Sequence, residues 1–236
     1  MIARVKYTKW LLLPVVLGSA LMHAQTATTA DVQLRLVLTG HSKQSIPPAV
    51  FWLKPMQQTP TPAFPAHGND TLLQKNRMFT PHLLVVPIGT AVQFPNADPF
   101  FHNVFSLFDG KRFDLGLYEA GSTKAVTFSR EGISYIFCNI HPEMSAVVLA
   151  LSTPLYAIAD SSGAFHLRDV ASGEYELHLW IEGVPESVLE KYTRHIHLTP
   201  NASDLGQIDI PATSQRNEDH PNKFGQPYDK DTKPVY

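Results

Sequence analysis

The sequence predicts an all-β protein built from β-sandwiches. Helical periodicity is almost absent: Val184 to Lys191 is the one stretch that suits a short helix. Elsewhere apolar residues alternate or run in short bursts bounded by Gly, Pro, Asn and Asp, the pattern of sandwich strands. The 236-residue chain also holds 19 Pro and 13 Gly, a composition that favours turns over long helices. At 44% hydrophobic and 17% charged it has ample material for a core, which excludes a wholly disordered chain. Its single cysteine excludes a disulfide framework and every metal site that needs two thiolates.

The elements follow in chain order. Residues 1–24 have the form of a secretory signal. Arg4, Lys6 and Lys9 precede an apolar run from Trp10 to Leu21, and Met22-His23-Ala24 offers a small residue for cleavage. That run is short beside the roughly 20 residues of a membrane span. Strands are expected at Val32–Leu38, Val50–Leu53, Leu83–Pro87, Thr90–Phe94, Lys124–Phe128 and Ile133–Cys138. Further strands are expected at Ala146–Ser152, Tyr156–Asp160, Ala164–Leu167, Tyr175–Ile181, Thr193–Leu198 and Leu205–Ile210. Residues 55–70 read as an extended loop, Phe108–Gly116 as turn-rich structure, and 212–236 as a disordered polar tail. Trp52 and Trp180 are expected in a sandwich core.

Without residues 1–24, 16 Lys and Arg remain against 21 Asp and Glu, a net charge of −5. No basic patch remains for nucleic acid. No Ser-His-Asp set, paired carboxylates or phosphate loop stands out, so hydrolysis and nucleotide chemistry have no support. An exported chain meets an oxidising compartment, periplasmic or extracellular, where an exposed lone thiol is a liability. Cys138 therefore needs burial or ligation.

From Asp160 to Leu177, Gly163 and Gly173 mark turns and Phe165, Leu167, Tyr175 and Leu177 alternate toward one face. The Asp160-x-x-Gly163-x-Phe165 turn and the Gly173-x-Tyr175 strand resemble the carboxypeptidase regulatory-like β-sandwich over about 55 residues. The earlier strands of that module are missing just before Asp160, and Val32–Leu38 with Ala49–Leu53 could supply them. The preferred organisation is thus a split sandwich, residues 31–55 and 153–211, with residues 70–152 inserted; tandem domains are the other arrangement.

The chemistry concentrates in Cys138-Asn139-Ile140-His141-Pro142-Glu143-Met144. One loop at a strand end presents a thiolate, an imidazole and a thioether, donors that copper favours. Upstream, Asn96-Ala97-Asp98 and a turn lead to His102-Asn103. Two His and one Cys with a weak axial Met form the blue-copper donor set. Together these segments resemble the cupredoxins of the plastocyanin and amicyanin group over about 80 residues, from Phe79 to Leu149. The Cys-x2-His-x2-Met spacing is nearest to amicyanin.

The resemblance implies one type 1 copper ion with His102, Cys138 and His141 as equatorial ligands and Met144 as the axial one. It implies that the amide of Asn103 hydrogen-bonds the cysteine sulfur, and that electrons leave through His141 at an apolar patch near Phe100, Phe101 and Pro142. It further implies a periplasmic carrier of single electrons between redox proteins, and not an enzyme. Proteins of this combined layout resemble those labelled methylamine-utilisation or plastocyanin-like proteins.

Other readings stay open on the residues alone. Glu143 could ligate in place of Met144, the site could lack an axial ligand, and zinc suits the same donors. Copper storage or delivery is a second function, although only Met56, Met78 and Met144 follow Ala24. A third is a carbohydrate- or protein-binding sandwich that the metal merely staples. His195 and His197 share a strand face, which leaves a second metal site open there, but with His82, His166 and His178 they read better as solvated or cross-strand histidines.

Overall fold

The computed structural model describes residues 28–40, 45–57, 59–60, 62–65, 70–107, 110–200, 204–211 and 221–228. The segment read as a secretory signal lies outside them. Among the described residues, no helix is long and apolar enough to cross a membrane.

The chain is all-β. In order, its strands are β1 (Thr29–Thr39), β2 (Ala49–Pro55), β3 (Leu73–Lys75), β4 (Met78–Thr80), β5 (Leu83–Pro87), β6 (Ala91–Pro95), β7 (His102–Ser106) and β8 (Phe113–Tyr118). Then follow β9 (Thr123–Thr127), β10 (Gly132–Cys138), β11 (Ser145–Leu151), β12 (Tyr156–Ile158), β13 (Ala164–Ala171), β14 (Gly173–Ile181), β15 (Arg194–Leu198) and β16 (Asp204–Pro211). Among the described residues, the one helical stretch is α1 (Glu186–Leu189), inside the segment where the sequence allowed a helix, continued by a 3-10 turn at Glu190–Tyr192.

All twelve expected strands form. β3, β4, β7 and β8 were not anticipated, and β8 replaces the later part of the turn-rich stretch expected at Phe108–Gly116. β7 carries His102 and Asn103, and all five of its residues are buried, so it shows no alternation. β8 loses its alternation at an irregularity opposite Asn103–Phe105, and Gly116 sits there at φ +64°.

The first two strands pair with strands from the far end of the chain. β1 pairs antiparallel with β13 and parallel with β16, giving a three-stranded sheet. β2 pairs with β12 and β14, and β15 completes a four-stranded sheet. Between these two sheets lie Val32, Leu34, Leu36, Phe51, Leu53, Phe165, Tyr175, Leu177, Ile208 and Ile210, all buried. Trp52 and Trp180 are both buried in this cluster, as expected. The Phe51 and Phe165 rings meet edge to face at 5.3 Å.

Residues 70–151 pair among themselves: a five-stranded sheet in the order β5-β11-β10-β7-β8, the pair β6-β9, and the hairpin β3-β4. β11 explains how the two regions meet. Its residues alternate faces: Val147, Leu149 and Leu151 join the core of the flanking sheets, while Ala146, Val148 and Ala150 join a second core with Phe94, Val104, Phe128 and Ile136. A strand buried on both faces reads as a continuous apolar run, as Ala146 to Leu151 does. The same parity on β10 turns Ile136 and Cys138 into the second core, whereas Ile133 and Tyr135 face the flanking sheets. Polar contacts cross the junction from Trp180 Nε1 to the Tyr135 hydroxyl (3.2 Å), from Lys54 to Glu131 (2.9 Å) and from His82 to Glu182 (2.7 Å).

Candidate metal centre

Strand β7 sets His102 and the end of β10 sets Cys138, on adjacent strands with Cys138 opposite Val104. The loop after β10 then folds back. The amide of Met144 donates to the His141 carbonyl (3.0 Å), and the amide of Cys138 donates to the Met144 carbonyl (3.2 Å). This tight turn brings His141 beside Cys138. The Cys138 sulfur lies 3.6 Å from His102 Nδ1 and 3.5 Å from His141 Nδ1. Donors about 2.0–2.3 Å from one shared ion at trigonal angles stand about 3.7 Å apart. The three side chains therefore suit a single small ion, and all three are buried.

The ring of His102 is oriented from behind. Its Nε2–H donates to Asp98 Oδ2 (2.9 Å), which leaves the Nδ1 lone pair facing the sulfur. Asp98 is itself fixed. It accepts the amides of Asn76 (2.6 Å) and Arg77 (3.0 Å) from the tip of the β3-β4 hairpin. Those two residues hold φ of +56° and +57°, the paired left-handed conformation of a two-residue hairpin turn. Asn96 shapes the approach: its Oδ1 accepts the Asp98 amide (3.0 Å) and its Nδ2 donates to the Phe100 carbonyl (2.8 Å). So the Asn-x-Asp turn before His102 is a machine for presenting one imidazole nitrogen.

Burial dominates the electrostatics. It pushes the Cys138 thiol above its usual range, opposed by hydrogen bonds to the sulfur from the amides of Asn103, Ile140 and His141. The Asn103 contact is the one implied by resemblance; the other two come from the loop itself. Burial also lowers the basicity of His102, against the pull of Asp98, and that of His141, with His102 adding to the effect. Both imidazoles are thus neutral near pH 7 and free to donate lone pairs. For Asp98, burial is outweighed by its bonds to the Arg77 amide, His102 and the Asn76 amide, which keep the carboxylate ionised.

The donor set fits copper. Sulfur and two imidazoles, in a buried pocket with amides directed at the thiol, match a soft-to-borderline ion. Met144 is fully buried in the same core as Cys138. Glu143 is exposed and falls outside the cluster, which removes the carboxylate alternative from the described geometry. Among the described residues, His102, Cys138 and His141 are the one such group that could hold a metal, so His195 and His197 form no second centre. They pair instead with Glu176 and Glu174 across β14 and β15.

His141 is more enclosed than expected, at 2% exposed. The Phe100 ring stands 5.5 Å from it, and the Arg77 guanidinium stacks over Phe100 at 5.4 Å. Phe101, 54% exposed, and exposed Pro142 supply the apolar surface nearby in sequence.

Part of the segment read as a disordered tail does not behave as one. Residues 221–228 form a turn against the cysteine loop: the Tyr228 hydroxyl donates to the Cys138 carbonyl (2.9 Å) and the Lys223 amide donates to Asn139 Oδ1 (3.0 Å). The sequence held no signal for this, since the contacts are hydrogen bonds from a polar stretch. Asp98 was visible in its motif, but its grip on His102 was not.

No protein-family model matches the sequence, and no curated protein matches it. Solved structures similar to part of the chain include a cupredoxin, amicyanin variants and a copper-containing nitrite reductase. A purple cupredoxin from Nitrosopumilus maritimus matches at 25% identity over 34% of this chain and 96% of its own, with a TM-score of 0.31. A reduced amicyanin variant matches at 19% identity over 40% of this chain and 100% of its own, with a TM-score of 0.33. A copper-containing nitrite reductase from Thermus scotoductus SA-01 matches at 22% identity over 42% of this chain and 28% of its own, with a TM-score of 0.34.

Proposed function

We propose that this chain binds one copper ion in a type 1 site and carries single electrons between redox proteins. The observation that carries the proposal is the buried trio of His102 Nδ1, Cys138 Sγ and His141 Nδ1, with both nitrogens within 3.6 Å of the sulfur. In this reading those three atoms are the strong ligands and Met144 is the weak axial one. Copper, when bound, supplies a one-electron couple, because thiolate and thioether favour Cu(I) while imidazoles suit Cu(II). The protein's part is to hold the donors still, so that neither state reorganises them. Asp98 locks the His102 ring, three amides hold the Cys138 sulfur, and the short 138–144 turn fixes His141. The donors are buried and enclosed, so the site excludes substrate, which favours a carrier over an enzyme.

The exit path in this reading runs from Cys138 through His141 to the surface around Phe100, Phe101 and Pro142. A small apolar patch of this kind suits transient redox docking. Periplasmic or secreted localisation rests on the signal-like pattern of residues 1–24. The flanking sheets are read as one regulatory-like sandwich split by the insertion of residues 70–152. That reading is supported by the pairing, among the described residues, of β1 and β2 with strands from β12 to β16 alone. Gly163 also favours it: a Cβ there would meet the Leu36 carbonyl oxygen at 2.3 Å, so the Asp160 turn docks closely on β1.

Voltammetry of the copper-loaded protein tests the function. One reversible wave of one electron per chain is expected. An irreversible wave, or none, would exclude an electron carrier and leave copper storage or a zinc staple.

A further inference from the structure

We infer that residues 221–228 form a strap that positions the cysteine loop, with Tyr228 as a positioning residue for the Cys138 ligand. The inference rests on the copper reading for its purpose, and on hydrogen bonds for its existence. The strap has its own fold. Asn222 organises it: its Oδ1 accepts the amides of Phe224 (2.9 Å) and Gln226 (3.1 Å), and its amide donates to the Gln226 carbonyl (2.8 Å). A turn shaped in this way arrives at the loop already ordered.

Its contacts close a ring around the two ligand-bearing strands. Lys223 Nζ pairs with Asp114 Oδ2 (2.9 Å), and Asp114 Oδ1 accepts Asn103 Nδ2 (2.6 Å). The Asn103 carbonyl accepts the Asn139 amide (2.9 Å), and Asn139 Oδ1 accepts the Lys223 amide (3.0 Å). Asn103 follows His102, and Asn139 follows Cys138. The ring therefore ties the residue after each ligand to the other, with the strap as its outer side. Tyr228 adds a second anchor on the other side of the turn, at the Cys138 carbonyl (2.9 Å). Cys138 is the last residue of β10, where the ladder stops holding the backbone.

The strap holds the peptide that follows the sulfur and so limits rotation of the cysteine. Partners that orient a ligand in this way are worth 10–100-fold in metal affinity when removed. The strap's hydrogen bonds also add little to global stability, because each is worth a small net amount.

The test uses two full-length variants, Tyr228→Phe and Lys223→Met, which release the strap at opposite ends. In metal-free protein, the Asn139 and Met144 amides should exchange about fivefold faster in both variants, with the melting temperature nearly unchanged. Loaded with Cu(II), Tyr228→Phe should bind about tenfold more weakly than wild type and show a shifted reduction potential. Wild-type exchange at both amides, in both variants, would overturn the strap. Failure of wild type to bind copper would overturn the copper reading alone, and the exchange rates would still decide the strap.

Discussion

The region spanning residues 70–151 and the flanking sheets are both β-structure with full cores, but they bury different chemistry. Apart from Trp and Tyr, the buried polar or charged residues among those described all lie between Gln74 and Thr153: Gln74, Asn96, Asp98, His102, Asn103, Ser106, Ser134, His141 and Thr153. The flanking sheets bury Val, Leu, Ile, Phe, Tyr and Trp instead. Burying polar groups costs stability unless each is partnered. Several partners here point toward one place: Asn96 and the hairpin amides serve Asp98, Asp98 serves His102, and Asn103 serves Cys138. The Gln74 amide spans the Phe94 carbonyl and the Tyr118 hydroxyl, yet its Oε1 stays without a partner. The inner region spends stability on a site; the outer sheets resemble a scaffold that supplies it.

That contrast can be broken by changing each region in turn. The largest stability effect is expected from Trp180→Ala in the outer core. Removing a fully buried indole should cost about 3–5 kcal/mol, read by denaturant unfolding, while copper spectra of the folded protein stay unchanged. A spectrum that collapsed with the mutation would show that the scaffold shapes the site directly.

The reciprocal change is Asp98→Asn. It keeps the size of the side chain, but one carboxylate oxygen becomes an NH2, so one of the two hairpin amides loses its acceptor and the charge-assisted bond to His102 weakens. Copper affinity should fall about 10–100-fold, measured by chelator competition, with about 1 kcal/mol lost in unfolding. An unchanged affinity would mean the His102 ring is held by packing alone.

The smallest effect belongs to the junction. His82 Nε2 meets Glu182 Oε1 at 2.7 Å, and its Nδ1–H donates to the Ser145 carbonyl (3.1 Å). The hydrogen bond to Glu182 raises the His82 pKa above its ordinary 6.5, more than burial lowers it. The folded state then binds the proton more tightly than the unfolded one. The contribution is complete below pH 6.5 and is lost as pH rises through the raised value. With the imidazole 41% exposed, solvent screening holds it under about 1 kcal/mol. His82→Gln should flatten stability against pH in that window and leave copper affinity alone. A profile identical to wild type would remove the pair from the junction's energetics.

Legibility in the sequence follows the same divide. Strands with one face in a core and one in solvent, such as β1 with its alternating Val32, Leu34 and Leu36, declare themselves by period. β7 does not: His102, Asn103, Val104, Phe105 and Ser106 are all buried, and three of them are polar. β3 and β4 are three residues each, and their turn at Asn76-Arg77 lacks the glycine that marks such hairpins. The buried trio was readable because Cys138 and His141 stand three apart in one loop, His102 follows the Asn96-x-Asp98 turn, and the donor types suit copper. The groups that orient it were not, since Asp98 acts across four residues, the hairpin amides lie about 20 positions upstream, and Tyr228 lies 90 positions beyond Cys138. Such contacts are made by the fold, and no local period encodes them.

The most direct measurement of the central claim is the visible and EPR spectrum of protein titrated with Cu(II), recorded beside Cys138→Ser. An intense blue absorption with narrow copper hyperfine splitting, saturating at one ion per chain and lost in Cys138→Ser, is the expected result. Pale, ordinary Cu(II) spectra that are the same in both proteins would contradict a thiolate-bound centre at His102, Cys138 and His141.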